Sequence, residues 1–244
     1  MKNYKITVQY DGTKYNGWQR QGNTKNTIQE RFENVLSRMC AGNVEIYASG
    51  RTDAGVHAVG QVANFHCDTE LSPDEIKDYL NRYLPEDILV TGISIADNRF
   101  HSRLLAKSKT YEYRIALAKP NVFIRKYVFV SQGAVDLETM KQAAEKLLGK
   151  HDFKGFSSLG KTNKSTERTI YSIDFSIENE ILTIRINGSG FLYNMVRILA
   201  GTLLAIGRGD MMPDDICRVL ETKDRELAGP TLPACGLSLI EVLY

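Results

Sequence analysis

Between Gly50 and His57 (GRTDAGVH) the sequence sets a carboxylate, Asp53, between a fixed positive charge, Arg51, and an imidazole, His57, on a backbone carrying two glycines. An ordinary aspartate, with a pKa of about 3.9, is ionised at neutral pH, and a neighbouring arginine favours that state. A carboxylate so placed is suited to nucleophilic or proton-transfer work. Thr52-Asp53-Ala54-Gly55 is equally good turn chemistry, so taken alone the octapeptide reads either as a reactive loop or as a charged turn. A second stretch, Tyr10 to Gln21 (YDGTKYNGWQRQ), joins Gly12 and Gly17 to aromatics and bases. Its glycines admit close backbone approach to a ligand, and Arg20 is a candidate phosphate contact. The alternative is a hairpin whose Trp18, the only tryptophan, belongs to the core. Arg197 lies in a helix expected over Phe191 to Ile206, where only Asn194, Arg197 and Thr202 are clearly polar. Burial there calls for a carboxylate partner.

The elements that must position these residues follow from periodicity. Tyr4 to Tyr10 alternates as a strand. Thr27-Ile28-Gln29-Glu30 fits a capping box opening a helix with Phe32, Val35, Leu36 and Met39 on its apolar face. Strands at about 44–49 and 61–66 place Asp53 on the loop between them. Ser72-Pro73-Asp74-Glu75 starts a second helix with Ile76, Tyr79, Leu80 and Tyr83 inward, and Ile88 to Ile95 closes a β-α-β-β-α-β unit, the split βαβ pattern. The second half repeats the scheme loosely. It has a strand at about 109–117, a helix from Asp136 to Leu148 stopped by Gly149, a hairpin of strands at about 169–177 and 181–187, the apolar helix, a short helix after Pro213, and a final strand from Leu237 to Leu243. The expected class is α+β: two ferredoxin-like-derived halves, 1–98 and 99–244, with antiparallel sheets, flanking helices and an active-site cleft between them. A basic linker covers roughly 96–108.

The net charge of +2 conceals an uneven distribution. Eight Lys and Arg against one acid, Glu112, occupy Arg99 to Lys126, and six against two acids occupy Lys146 to Arg168, whereas Asp210 to Glu226 is acidic. Basic blocks on a near-neutral chain suit a polyanion, although solvated faces would look the same. Ser157 to Arg168 (SSLGKTNKSTER) reads as a polar loop. The four cysteines, Cys40, Cys67, Cys217 and Cys235, show no C-x-x-C spacing, which points to free thiols in a reducing cytoplasm. The longest apolar run, Gly190 to Ile206, is short of the ~20 residues of a membrane span and carries Arg197, so no membrane association is expected. Neither G-x-G-x-x-G nor a P-loop occurs.

The combination YDG…GWQRQ, then GRTDAGVHA, then Gln61-Val62 resembles the tRNA pseudouridine synthase A family. Phe100-His101-Ser102-Arg103, Lys109-Thr110-Tyr111-Glu112-Tyr113, Phe191 to Arg197 with its Met-Val-Arg ending, and Gly236-Leu237 extend the resemblance over nearly the whole chain. It implies a cofactor-free, metal-free isomerisation of uridine to pseudouridine at positions 38, 39 and 40 in the anticodon stem-loop of tRNA, by a cytoplasmic homodimer. By the same resemblance Asp53 is the catalytic nucleophile and Arg197 its ion-pair partner. Tyr111 stacks on the extruded uracil, a contact worth ~1–3 kcal/mol against the few kcal/mol of flipping. Arg51 is a candidate phosphate contact or flipping wedge. Arg103 and His101 are candidates for the RNA backbone, and His57 is structural. Whether Asp53 attacks C1′, attacks C6 or first removes a sugar proton stays open. Two other readings are an RNA-binding module without catalysis and a metal-dependent hydrolase built on Asp53, His57 and His66. Asp53, Arg197 and Tyr111 together favour the enzyme over the module, and no metal-ligand spacing favours the hydrolase.

Overall fold

The computed structural model describes residues 1–131, 133–161 and 163–244. Its contacts divide the chain into two units, Met1–Lys107 with Ser238–Tyr244, and Ser108–Leu237. The expected boundary at 98 thus falls nine residues later, and the last strand belongs to the first unit. The cause lies in a buried polar network. Asn3 donates through Nδ2 to the carbonyls of Asp97 and Phe100 at 2.9 Å each. Asn64 accepts the Ser102 amide at 2.9 Å, and the Tyr244 hydroxyl donates to the Ser102 carbonyl at 2.7 Å. Unmet, such buried groups cost about 1–3 kcal/mol each, so the basic segment expected to link the halves is fastened to the first one.

The first unit runs β1 (Lys2–Tyr10), α1 (Ile28–Met39), β2 (Ile46–Ala48), β3 (His57–Cys67), α2 (Pro73–Tyr83) and β4 (Ile88–Ala96). From Tyr4 to the end of β1 the alternation is strict, Tyr4, Ile6, Val8 and Tyr10 all being buried. Ser72 and Glu75 make both bonds of a capping box at α2. At α1 only half of the expected box forms, Thr27 Oγ1 accepting the Glu30 amide at 3.3 Å. Of the apolar face expected on α2, Ile76 and Leu80 are buried whereas Tyr83 is exposed.

The second unit runs β5 (Ser108–Ala116), β6 (Phe129–Val130), α3 (Leu137–Glu145), β7 (Gly149–Asp152), β8 (Glu167–Glu178), β9 (Ile181–Gly188), α4 (Met195–Gly207) and α5 (Asp215–Thr222), and β10 (Leu237–Leu243) returns to the first. Strand order is β4-β1-β3-β10 in the first unit, with β2 also on β3, and β5-β9-β8-β7 in the second, with β6 on β5. The pairs β3–β10 and β5–β6 are parallel; the other pairs within each unit are antiparallel. Asn179 and Glu180, at φ of 49° and 61°, close the β8–β9 hairpin, a turn whose twist matches its strands. Thr162, in the expected polar loop 157–168, lies outside the described residues.

One cysteine expectation is overturned. Cys40, capping α1, and Cys67, ending β3, form a disulfide with a Cα–Cα distance of 6.5 Å. The pair is 27 residues apart in sequence, a spacing no motif reports. Cys217 and Cys235 are free thiols. Among the described residues no helix is long and apolar enough to cross a membrane.

Candidate active site

Asp53 lies in the irregular segment between β2 and β3, and other parts of the first unit hold that segment on two sides. On one side stands Gln61 of β3, fully buried. Its Oε1 accepts the Ser49 hydroxyl at 2.7 Å and the Gly50 amide at 3.3 Å, while its Nε2 donates to the Gly50 carbonyl at 2.8 Å. The Tyr10 hydroxyl, at the end of β1, stands 2.7 Å from Thr52 Oγ1. On the other side runs the stretch after β1. The Trp18 amide donates to the Thr52 carbonyl at 3.0 Å, and the Gly55 amide to the Tyr15 carbonyl at 3.2 Å. The Gly12 amide donates to His57 Nδ1 at 3.1 Å.

The glycines of that stretch have a purpose other than the ligand approach expected from sequence. A Cβ on Gly12 would sit 1.9 Å from the Val56 carbonyl oxygen, and one on Gly17, whose φ is +88°, would sit 2.6 Å from the Thr52 oxygen. Both admit the backbone of the Asp53 segment itself. Trp18 is buried between the rings of Tyr10 and Phe32, each at 5.9 Å, which fixes the stretch in the core. His57 is buried, with Asp11 Oδ1 3.2 Å from its Nδ1. Through Gly12 it ties the start of β3 to the stretch after β1.

Asp53 itself is half-buried, and Arg51 and Arg103 are exposed. The Arg103 guanidinium has its pKa pulled below the ordinary value by partial desolvation and by the positive charge of Arg51. The Asn3, Asn64 and Ser102 network holds Arg103 there, its amide donating to His101 Nδ1 at 3.1 Å. His101 packs its ring on Tyr47 at 5.2 Å. Arg20 instead makes an ion pair through Nη1 with Glu33 Oε2 at 2.9 Å. That carboxylate is buried in the first unit and also accepts from Gln29 Nε2 at 2.7 Å and from the Ile46 amide at 3.4 Å. Arg20 therefore has a structural anchor. His66 Nε2 lies 3.4 Å from the Asn98 carbonyl. Among the described residues no three His, Cys, Asp or Glu side chains gather as metal ligands.

The second unit carries Tyr111 and Arg197. Tyr111, in β5 opposite Ile186 of β9, is 8% exposed, and its ring meets Phe191 edge-on at 5.2 Å. The helix expected from Phe191 starts at Met195, because Asn194 adopts a left-handed backbone with φ of 61°. Arg197 accordingly sits in the first turn, where the helix dipole disfavours a cation. Acceptors meet it there: the Leu232 carbonyl takes its Nε at 2.6 Å, and Asn194 Oδ1 its Nη1 at 2.8 Å.

A family model described as tRNA pseudouridine synthase matches residues 6–103 and 143–244, stretches that include the Asp53 segment, both of its flanks and Arg197. The chain belongs to the tRNA pseudouridine synthase family. Over 230 residues, 94% of either chain, it is 47% identical to tRNA pseudouridine synthase A of Bacillus sp. (strain KSM-64). Over the full length of both chains it is 44% identical to tRNA pseudouridine synthase A 2 of Bacillus thuringiensis subsp. konkukian (strain 97-27). It is 41% identical, again over both full lengths, to tRNA pseudouridine synthase A of Acetivibrio thermocellus. Tyr111 falls in the interval between the two stretches that match the pseudouridine synthase model. Of the residues that hold the Asp53 segment in this family member, the sequence marks Gly12 and Gly17 as admitting a ligand and Gln61 only as a piece of motif. Tyr10 and Thr52 carried no signal beyond their neighbourhood.

Proposed function

We propose that this protein isomerises uridine to pseudouridine at positions 38, 39 and 40 in the anticodon stem-loop of tRNA. Membership of the tRNA pseudouridine synthase family supports the reaction. Its link to this chain is the segment 49–57, which holds one carboxylate, Asp53, two residues after Arg51 on a backbone locked from both sides. The N1–C1′ bond breaks, the uracil turns over, C5 bonds to C1′, and the C5 proton passes to water as N1 gains one. Substrate and product are isomers, so the balance needs no redox partner and no nucleoside triphosphate.

Asp53 acts as nucleophile, the role implied by the resemblance to the family. Tyr111 stacks on the extruded uracil, for which its nearly buried ring, set edge-on by Phe191, is suited. Arg51 and Arg103 take backbone phosphates. A polyanionic, cytosolic substrate places the protein in the cytoplasm, and it works as a homodimer. Light scattering across a range of protein concentrations tests the last point, a monomer throughout refuting it.

The deciding experiment is tritium release from tRNA carrying tritium at C5 of uridine. Wild-type protein is expected to release it and the Asp53→Asn variant to release none above background. Retained release in the variant would remove Asp53 from the mechanism.

A further inference from the structure

The amide of Gln61 is more fully used than a packing role requires. It is fully buried, and its two ends take the N–H and the C=O of one residue, Gly50, as a neighbouring strand would, while Oε1 also holds Ser49. Its Nε2 further donates to the Tyr10 hydroxyl at 3.4 Å, which leaves the tyrosine proton available to Thr52 Oγ1 at 2.7 Å. Burial pushes the Tyr10 pKa up to about 12, so that proton is present throughout the working range. The chain Gln61, Tyr10, Thr52 ends on the residue immediately before Asp53. The glycine contacts hold the far side of the same segment and involve none of the relay's side-chain bonds. The relay therefore fixes where the segment comes to rest without being needed for it to form.

We propose that Gln61 and Tyr10 are positioning residues for Asp53: a buried side-chain relay that substitutes for a missing strand and fixes the backbone from Ser49 to Thr52, so that the carboxylate is held at its reacting distance. The inference rests on Asp53 being the reacting group. Displacement of a reacting atom by a fraction of an ångström lowers the chemical rate while leaving most of the binding surface intact.

Single-turnover release of C5 tritium with saturating enzyme, alongside tRNA affinity and thermal melts, tests it. Tyr10→Phe keeps the ring against Trp18 but removes both bonds of its hydroxyl. The expected result is a chemical rate lower by about 10- to 100-fold, with affinity within about twofold. Gln61→Leu is expected to do the same, and the double variant to be no slower than the slower single variant, because one relay is cut only once. Gln61→Glu gives a readout that a merely structural role would not move. Its carboxyl can donate to the Gly50 carbonyl only when protonated, so its rate relative to wild type is expected to climb as pH falls. Unchanged single-turnover rates in Tyr10→Phe and Gln61→Leu, or a flat pH ratio in Gln61→Glu, would overturn the inference. If Asp53→Asn is inactive while these variants are normal, only the relay falls; if Asp53→Asn is active, the reading beneath it falls as well.

Discussion

In the first unit Asp53 stands in a segment with no regular structure, whose place is set by backbone bonds, two glycines and the side chains of Gln61 and Tyr10. In the second, Tyr111 belongs to a strand paired from Lys109 to Ala116 and Arg197 to the first turn of a buried helix, so regular hydrogen bonding already sets their backbones. The difference is one of where precision comes from. An irregular segment needs outside partners for its backbone groups. A strand or helix supplies its own, and only the direction of the side chain remains to be set. Sensitivity to substitution should follow that division, with neighbours mattering most around Asp53 and the functional side chain itself mattering most in the second unit.

The sharpest way to break the comparison is Gly17→Ala. A left-handed backbone and a Cβ 2.6 Å from the Thr52 oxygen should cost about 2–4 kcal/mol of stability, from strain of this kind and loss of packing. Turnover should fall more than about a hundredfold as the segment shifts. Denaturant melts and tritium release measure both, and normal activity would show that the segment does not need the lock. Cys40→Ser sharpens it from the far end of β3. Opening the 27-residue loop should remove about 3.5 kcal/mol by chain entropy but leave turnover within about twofold, because the bond lies at the strand end away from His57. A large loss of activity at unchanged stability would contradict that separation.

In the second unit Arg197→Lys is the matching test. A lysine cannot reproduce the fork that reaches both Leu232 and Asn194, so a stability loss of about 1–2 kcal/mol is expected. Turnover should drop well below that of wild type. Equal turnover would make Arg197 a helix-end brace and nothing more. The smallest effect expected is that of Arg103→Ala. Affinity should weaken a few-fold, and the slope of log affinity against log salt should fall by about one unit, as for loss of one phosphate contact. An unchanged slope would take Arg103 out of the RNA interface.

Much of this arrangement was readable in the chain, and the misses share a cause. Alternation in β1, the capping box at Ser72 and the turn at Asn179 and Glu180 are local, and local sequence reports them. The start of α4 was misplaced because apolar residues run on through Phe191 and Leu192 while the backbone of Asn194 interrupts the helix. Strands β6 and β7 are too short for a period to register. Gly17 was read as admitting a ligand because sequence shows the absence of a side chain, not what fills the space. The pairing of Arg20 with Glu33, thirteen residues on, shows only once α1 is in place. The disulfide and the Gln61 relay join residues whose proximity only the tertiary fold creates.

Ser238 and Leu239 of β10 pair with His57 and Ala58, the first residues of β3 after the Asp53 segment. A chain made from its N-terminus has the whole second unit synthesised before those partners exist. The strand that pairs just beyond the Asp53 segment therefore emerges only after the whole second unit, and its pairing spans most of the sequence, a slow kind of contact to form. A nascent or C-terminally clipped chain would carry Asp53 beside an open strand edge. Emergence of β10 then becomes the step that covers that edge.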